Sequence, residues 1–390
     1  MSTLGNTTKF ASGDDFAREY GKTALRFWLM SIARVILPYD HRISICWRFP
    51  LPDRKEVEVI YSDETQKART TTMKCGQGWV CPVCSLWIAE RRRQELQLAI
   101  QRARRKYAPL MLTYTMQHDR GMRLADTMTA LQASYRQLRS GRWWQEVKEE
   151  FGIKGSVRAT EVTYGINGWH PHYHELMFVD LGKIQTEVAG DIAEYSRDIC
   201  DVIEDRWIKM LARRGYDAAK GIALTAVATD NAIAEYIAKW GVMPIDLDSS
   251  GITHEIASGA QKGGRMQSLS IWDVLFKAQS DIGYRKLFLE FADATKGRSQ
   301  LQWTRGLKAE LEIEEIRDEI AAQGVETDSD RILATVNADM WRWIAETHRL
   351  PVVMTIANQG DDQKLGALLA HLREIREGAT DASIYWSLGG

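Results

Sequence analysis

His170, His172 and His174 stand at alternate positions of the run Gly168-Trp-His-Pro-His-Tyr-His-Glu-Leu-Met-Phe178. Alternate side chains of a β-strand point to one face, so the three imidazoles line up together if the run is extended. Tyr173, Leu176 and Phe178 favour that conformation. A row of imidazoles on a sheet face is a ready site for a divalent metal, because neutral imidazole is a common metal ligand. The plainer alternative is a surface strand that happens to carry polar residues.

Ser156 to Tyr164 also has strand composition, and Asn167-Gly168 is a two-residue hairpin signal. If that turn closes the hairpin, Glu161 lies directly opposite His174 and Thr163 opposite His172. Opposed residues hold their Cβ atoms about 4.5–5.5 Å apart. Glu161, His172 and His174 then make a two-histidine, one-carboxylate set. His170 lies roughly 6.6 Å further along the strand and is the outlying candidate for the same ion. A longer turn would shift the register and the choice of ligands.

A second cluster is Cys75-Gly-Gln-Gly-Trp-Val-Cys81-Pro-Val-Cys84, with Cys46 upstream. Five cysteines are too few for a disulfide scaffold in 390 residues. Cys75, Cys81 and Cys84 supply three thiolates, and Cys46 completes a tetrahedral structural-zinc site, with His41 as the alternative fourth ligand. A redox Cys-x-x-Cys would leave Cys75 unexplained. Cys200 sits alone in a helical pattern and reads as a buried apolar residue.

Around these sites the chain reads as α+β. Residues 1–40 form an N-terminal helical extension, and 41–107 a zinc-binding module followed by a basic helix from about Leu86 to Tyr107. Arg91, Arg92 and Arg93 on that helix are either a solvated face or a grip for DNA phosphates. Leu110 to Met116 reads as a strand ending at His118, residues 124–150 as helices, 186–214 as an amphipathic helix, and Ile222 to Ala228 as a strand. The order β-α-β-β-α-β around an antiparallel sheet is ferredoxin-like in outline. Residues 108–245 then form the domain that carries the histidines. Gly251 to Gly264 is a loop or boundary, 246–390 a mostly helical region, and 310–330 an acidic stretch.

With 45% hydrophobic and 26% charged residues, the composition is that of an ordinary globular protein. A net charge of −1 excludes a uniformly basic nucleic-acid coat and leaves only local patches. Met1 to Asp15 has no apolar core segment, and Phe27 to Leu37 is short and interrupted by Arg34. The expected location is the cytoplasm, with no membrane partner.

A metal with open positions, held by Glu161, His172 and His174, can polarise a phosphoryl oxygen of a phosphodiester. The nucleophile is then either water or a side chain. Tyr236 is the best candidate side chain, early on a helix capped by Asp230 or Asn231, with Lys239 on the same face at i,i+3. A lysine there can lower the phenol pKa or neutralise charge on the phosphate. Spacing alone leaves open that Tyr236 is a core residue.

The run Gly155 to Phe178 with its His-Pro-His-Tyr-His core resembles the rolling-circle plasmid replication initiators of the HUH endonuclease superfamily. So do the Cys75–Cys84 segment with its basic helix, Leu112-Thr-Tyr-Thr-Met-Gln-His118, Ala234-Glu-Tyr-Ile-Ala-Lys239 and Gly297 to Gly306. The matches keep the family's order and span roughly residues 46–310. The resemblance implies an HUH endonuclease domain with an antiparallel ferredoxin/RRM-like sheet flanked by helices. His172-Tyr173-His174 is then the metal-binding triplet, for Mn²⁺ or Mg²⁺, and Tyr236 the nucleophile. It implies nicking of one strand at a plasmid origin, leaving a 5′-phosphotyrosine and a free 3′-OH for a host polymerase, with a host helicase as a further partner. The nick site must be single-stranded or extruded as a cruciform, and Trp169, Trp240 or Trp303 are candidates to stack on its bases. Several members carry a glutamate one turn before the tyrosine; Ala232 stands there, and neither Asp230 nor Glu235 matches it. An HUH transposase or mobilisation relaxase would share this chemistry. A zinc-containing DNA-binding regulator without catalysis, or a metal-dependent hydrolase, are the rivals from other classes.

Overall fold

A computed structural model describes residues 21–188, 191–217, 222–225 and 268–378. The strands in this range are β1 (Glu56–Ser62), β2 (Lys67–Thr70), β3 (Tyr107–Tyr114), β4 (Ile153–Gly165), β5 (Gly168–Asp180), β6 (Ile222–Thr225), β7 (Leu301–Trp303) and β8 (Asp330–Asn337). The chain divides into two compact units. One comprises Met1–Ile88, Leu275–Arg285 and Arg317–Gly390, the other Ala89–Val274 and Lys286–Ile316. No helix among the described residues is long and apolar enough to cross a membrane.

The first unit holds a three-stranded antiparallel sheet in the order β2-β1-β8. Val57 and Val59 of β1 are fully buried, as the alternation Val-Glu-Val predicts for a half-buried strand. The helix Lys22–Ile36 buries Leu25, Phe27, Leu29, Met30 and Ala33, and packs with the helix Leu350–Ala357. Phe27 meets the edge of Trp47 at 4.8 Å, and the Trp341 indole N–H donates to the Trp47 carbonyl at 2.9 Å. That bond satisfies the one polar atom a buried Trp341 must place.

The second unit is built on a five-stranded sheet in the order β6-β3-β5-β4-β7, every pair antiparallel. The first four strands in chain order are β3, β4, β5 and β6, with helices between β3 and β4 and between β5 and β6. This is the β-α-β-β-α-β order expected from the sequence. Alternation along the strands gives the sheet two apolar faces. Met111, Val157, Ala159, Leu176 and Phe178 pack with Leu96, Ala99, Ile100 and Ala103 of the helix Pro82–Ala103 and with Leu307, Leu311 and Ile313. Leu110, Leu112, Tyr114, Tyr173, Met177 and Val179 pack on the opposite side with Leu131, Trp144, Val147, Ile199, Ile203 and Trp207.

Several expected boundaries differ. The region 246–390 is not a separate helical domain: β7 extends the sheet of the second unit beside β4, and β8 pairs along β1 in the first. The two divisions at 41 and 108 are likewise not the observed ones, because the first unit runs to Ile88. The basic helix begins at Pro82 and ends at Ala103, and the amphipathic stretch is two helices, Leu181–Val188 and Ile192–Ala212. Residues 1–20, most of the segment between 218 and 267, and 379–390 lie outside the described residues, and with them the expected helix of Tyr236 and Lys239.

Candidate functional site

β4 and β5 are joined through Ile166-Asn167, with Gly165 paired to Gly168. Gly168 has φ +86°, and a Cβ there would lie 3.0 Å from Arg120 Cα and 3.1 Å from the Asp119 carbonyl oxygen. Only glycine fits this conformation and this close approach of backbone. The turn therefore falls one residue earlier than Asn167-Gly168, and the register differs by two from the expected one. Glu161 stands opposite His172, Thr163 opposite His170, and Ala159, not Glu161, opposite His174. A shift of two preserves the face of every side chain, so Glu161 still points with the imidazoles.

The Glu161 Oε2 atom lies 2.9 Å from His172 Nε2 and 3.1 Å from His174 Nε2. Two donors about 2.1 Å from one ion and at right angles to each other lie roughly 3.0 Å apart, so the spacing suits a shared ion. His174 Nδ1 lies 2.9 Å from the Thr113 hydroxyl, and His172 Nδ1 lies 3.3 Å from the His170 carbonyl oxygen. Such contacts fix ring orientation and leave both Nε2 atoms facing the carboxylate. Burial disfavours a charged Glu161, but hydrogen bonds and attraction from His172 and His174 outweigh it and hold the carboxyl down to about 2. Burial lowers His174 to about 4 despite the opposing pull of Glu161. The site is thus a carboxylate with a neutral His174 at neutral pH, the protonation a cation requires of its ligands.

His170 stands apart from this group. Its ring stacks on His118 at 4.5 Å and on His172 at 4.8 Å, and burial together with those neighbours lowers it to about 4. Thr113 was not singled out from the sequence. Its signal is its place on β3 directly across from His174.

The cysteines meet in the first unit. Cys46 follows the short helical turn Arg42–Ile45, Cys75 follows β2, and Cys81 precedes the helix Pro82–Ala103, whose first residue is the proline that tolerates that position. All four are buried. Cys46 Sγ lies 3.9 Å from Cys81 Sγ and 3.4 Å from Cys84 Sγ, and Cys75 Sγ lies 3.6 Å from Cys84 Sγ. An ion about 2.3 Å from four tetrahedral sulfurs sets them roughly 3.8 Å apart, so this donor set fits one. The Cys75 and Cys84 N–H groups donate to Cys46 Sγ and Cys81 Sγ at 3.4 and 3.5 Å. Burial pushes the Cys75 and Cys81 thiols well up; burial also opposes ionisation of Cys46, but hydrogen bonds from the other three sulfurs bring it well below its usual value. His41 does not complete this set: its Nδ1 accepts the Ile43 N–H at 3.2 Å, capping the turn that leads to Cys46.

Other candidate residues are placed as follows. Arg91 pairs with Glu314 at 3.4 Å, Arg92 with Glu95 at 2.6 Å, and Arg93 with Glu90 at 2.6 Å. A phosphate would have to displace these carboxylates. Trp169 is a core residue and not a stacking platform: it is buried, it donates to Glu290 at 3.0 Å, and it packs on Phe291. Trp303 is half-buried on β7, and Trp240 lies outside the described residues.

Residues 67–189 match the family model for replication protein. This segment includes Cys75, Cys81 and Cys84 as well as Glu161, His172 and His174. The chain is similar to Protein rep of Streptomyces lividans, 27% identical over 365 residues that cover 74% of this chain and 76% of that protein. It is also similar to a protein named Neomycin resistance protein of Streptomyces cyanogenus, 31% identical over 169 residues, 35% of this chain and 38% of the relative. No solved structure gives a significant match. The resemblance to plasmid replication initiators drawn from the motifs is thereby borne out, with residues 67–189 as the segment that matches the replication-protein model.

Proposed function

We propose that this protein initiates rolling-circle replication of a plasmid by nicking one strand at the origin, as an HUH endonuclease. The observation that carries the reading is the Glu161, His172 and His174 group, gathered on one sheet face inside the segment that matches the replication-protein model. The sheet order that places β5 between β3 and β4 supports it as well, since it centres the histidines on the sheet.

A divalent ion such as Mn²⁺ or Mg²⁺ bound to these three residues would supply a Lewis acid that polarises a phosphoryl oxygen and orients the scissile phosphodiester. The remaining work falls to side chains. The Tyr236 hydroxyl oxygen attacks the phosphorus, the Oη–P bond forms and the P–O3′ bond breaks. The phenol gives up its proton, and the departing 3′-oxygen takes one up to become the free 3′-OH. Lys239, one turn further on the expected helix, lies where its ammonium can offset charge building on the phosphate. The phosphodiester energy is kept in the phosphotyrosine, so the strand can later be rejoined. The 3′-OH primes a host polymerase, with a host helicase opening the duplex ahead of it. The four cysteines hold a structural Zn²⁺ in this reading, which adds folding energy and no chemistry.

The test is incubation of the full chain with supercoiled plasmid carrying its origin, with and without Mn²⁺. Open circles bearing covalently attached protein are expected with the ion only. Tyr236→Phe and His172→Ala should leave the plasmid closed. A closed plasmid with wild-type protein fits a regulator, and cutting by Tyr236→Phe fits a hydrolase that uses water.

A further inference from the structure

A second pocket lies on the other face of the same sheet, at the edge formed by β4 and β7. It is a cavity of about 220 Å³ lined by Tyr135, Arg139, Trp144, Lys148, Arg158 and Trp303, among others. Three of these side chains are cationic, and among the described residues no acid lines the cavity. The one carboxylate close by, Glu175, is fully buried behind Arg139. Its Oε1 accepts the Tyr135 hydroxyl at 2.5 Å, and its Oε2 accepts the Tyr114 hydroxyl at 2.7 Å and the Arg139 guanidinium. It forms its ion pair with Arg139, and stands across the strand pair from Arg158 without an ion pair to it. Lys148 and Arg158 have no carboxylate partner among the described residues.

The lining is also held rigid. The Arg139 guanidinium lies 3.9 Å from the Trp144 ring, and that of Arg158 lies 4.0 Å from Tyr173 and 4.4 Å from Tyr135. Arg158 donates to the Gln302 side chain, and the Thr304 hydroxyl accepts the Ser156 N–H at 2.9 Å. Stacking fixes the planes of two guanidinium forks before any ligand arrives, which lowers the ordering cost of binding a planar or tetrahedral anion. Arg158 is 5% exposed, and its Nε has no hydrogen-bond partner within the structure, as is true of Arg139 Nε and Nη1. Burying an uncompensated guanidinium is costly unless something of opposite charge offsets it. The cavity is too small for a dinucleotide cofactor and large enough for a phosphate with part of the nucleoside that carries it.

We propose that this pocket binds the phosphate of a nucleotide unit, separately from the Glu161, His172 and His174 centre on the opposite sheet face. Lys148 and Arg158 bind the phosphate oxygens, with the Ser156 and Thr304 hydroxyls beside them. The same chemistry is presented by a free nucleotide and by one nucleotide of a bound single strand. The proposal rests on the pocket alone and stands or falls without the nicking reaction.

The test measures binding to the full chain at low salt, without divalent metal, using three probes: inorganic phosphate, dTMP and a fluorescein-labelled six-nucleotide single strand. Saturable binding of phosphate or dTMP, weakened about tenfold by Lys148→Gln, supports a free nucleotide as the source. Binding of the oligonucleotide alone, weakened to the same degree, supports a strand as the source. Lys148→Glu should weaken either further. Lys148 is half-buried on the helix Gly141–Glu150, so an unchanged melting temperature verifies that these variants fold. Arg158→Lys, which keeps the charge and loses the fork, gives an independent variant. Absence of binding by every probe, or binding that none of these substitutions alters, overturns the proposal.

Discussion

Glu161 stands directly across the hairpin from His172, and its Oε2 atom reaches both His172 Nε2 and the next imidazole on that face. One carboxylate oxygen thus organises two rings without a ladder position opposite the second. Glu161→Gln keeps the shape and removes the charge, and should abolish Mn²⁺ binding measured by calorimetry while the fold persists. Unchanged Mn²⁺ affinity in that variant would exclude Glu161 as a ligand.

Thr113 should matter to the same site through His174. Its hydroxyl is 2.9 Å from His174 Nδ1, and outer contacts of this kind are worth about 10–100-fold in metal affinity. Thr113→Val retains shape and burial, so a weakening of Mn²⁺ binding in that range with an unaltered melting temperature is expected. Full affinity in Thr113→Val would show that the ring is oriented by packing alone.

The metal-free protein should lose stability as the solution is acidified. His170 and His174 are each held at about 4 against an ordinary 6.5, so within that window the unfolded chain binds protons that the folded chain refuses. Glu161, held at about 2, extends the loss below the ordinary carboxylate range. All three shifts have the same sign: stability is present at neutral pH and falls as the pH drops through 6.5 towards 4, then further. Melting temperatures at pH 7, 6 and 5 should decline, and less steeply in His174→Asn. A melting temperature that rises on acidification contradicts these shifts.

Cys46 and His41 are distinguished by metal content. Cys46→Ser should yield protein without zinc and with a much lower melting temperature, since structural zinc supplies folding energy outright. His41→Ala should retain one zinc and lose only the cap on Ile43, about 1 kcal/mol of stability. Loss of zinc from His41→Ala would return His41 to the ligand set.

Gly168→Ala places a methyl group 3.0 Å from the Arg120 backbone at a φ of +86°. About 1–3 kcal/mol of destabilisation is expected from the strained conformation alone, with the contact adding to it. A melting temperature equal to wild type would mean that the hairpin loop rearranges freely.

Much of this site could be read from the chain because its signals are local. Period-two histidines and a hairpin turn placed Glu161, His172 and His174 on one face, and an error of two in the register left that face unchanged. Cys75, Cys81 and Cys84 lie within ten residues, which made the sulfur cluster legible, whereas the fourth ligand required knowing that His41 caps a turn. The partners that arrive from far along the sequence were not legible. β7 is three residues long, and β8 follows an acidic stretch, so neither carries a periodic signal of its own; each is defined by the strand it joins. Glu175 is a charge immediately before the apolar run Leu176-Met-Phe-Val179, and only the position of Arg139, Tyr114 and Tyr135 around it explains how it is buried.

The most direct test of the central claim is to find the residue that becomes attached to DNA. The full chain is incubated with an origin oligonucleotide and Mn²⁺, digested with trypsin and nuclease, and the adduct is located by mass spectrometry. The account predicts a nucleotide phosphate on Tyr236, present in wild-type protein and absent from His174→Ala. Cleaved oligonucleotide without any adduct, or an adduct on a different residue, would contradict it.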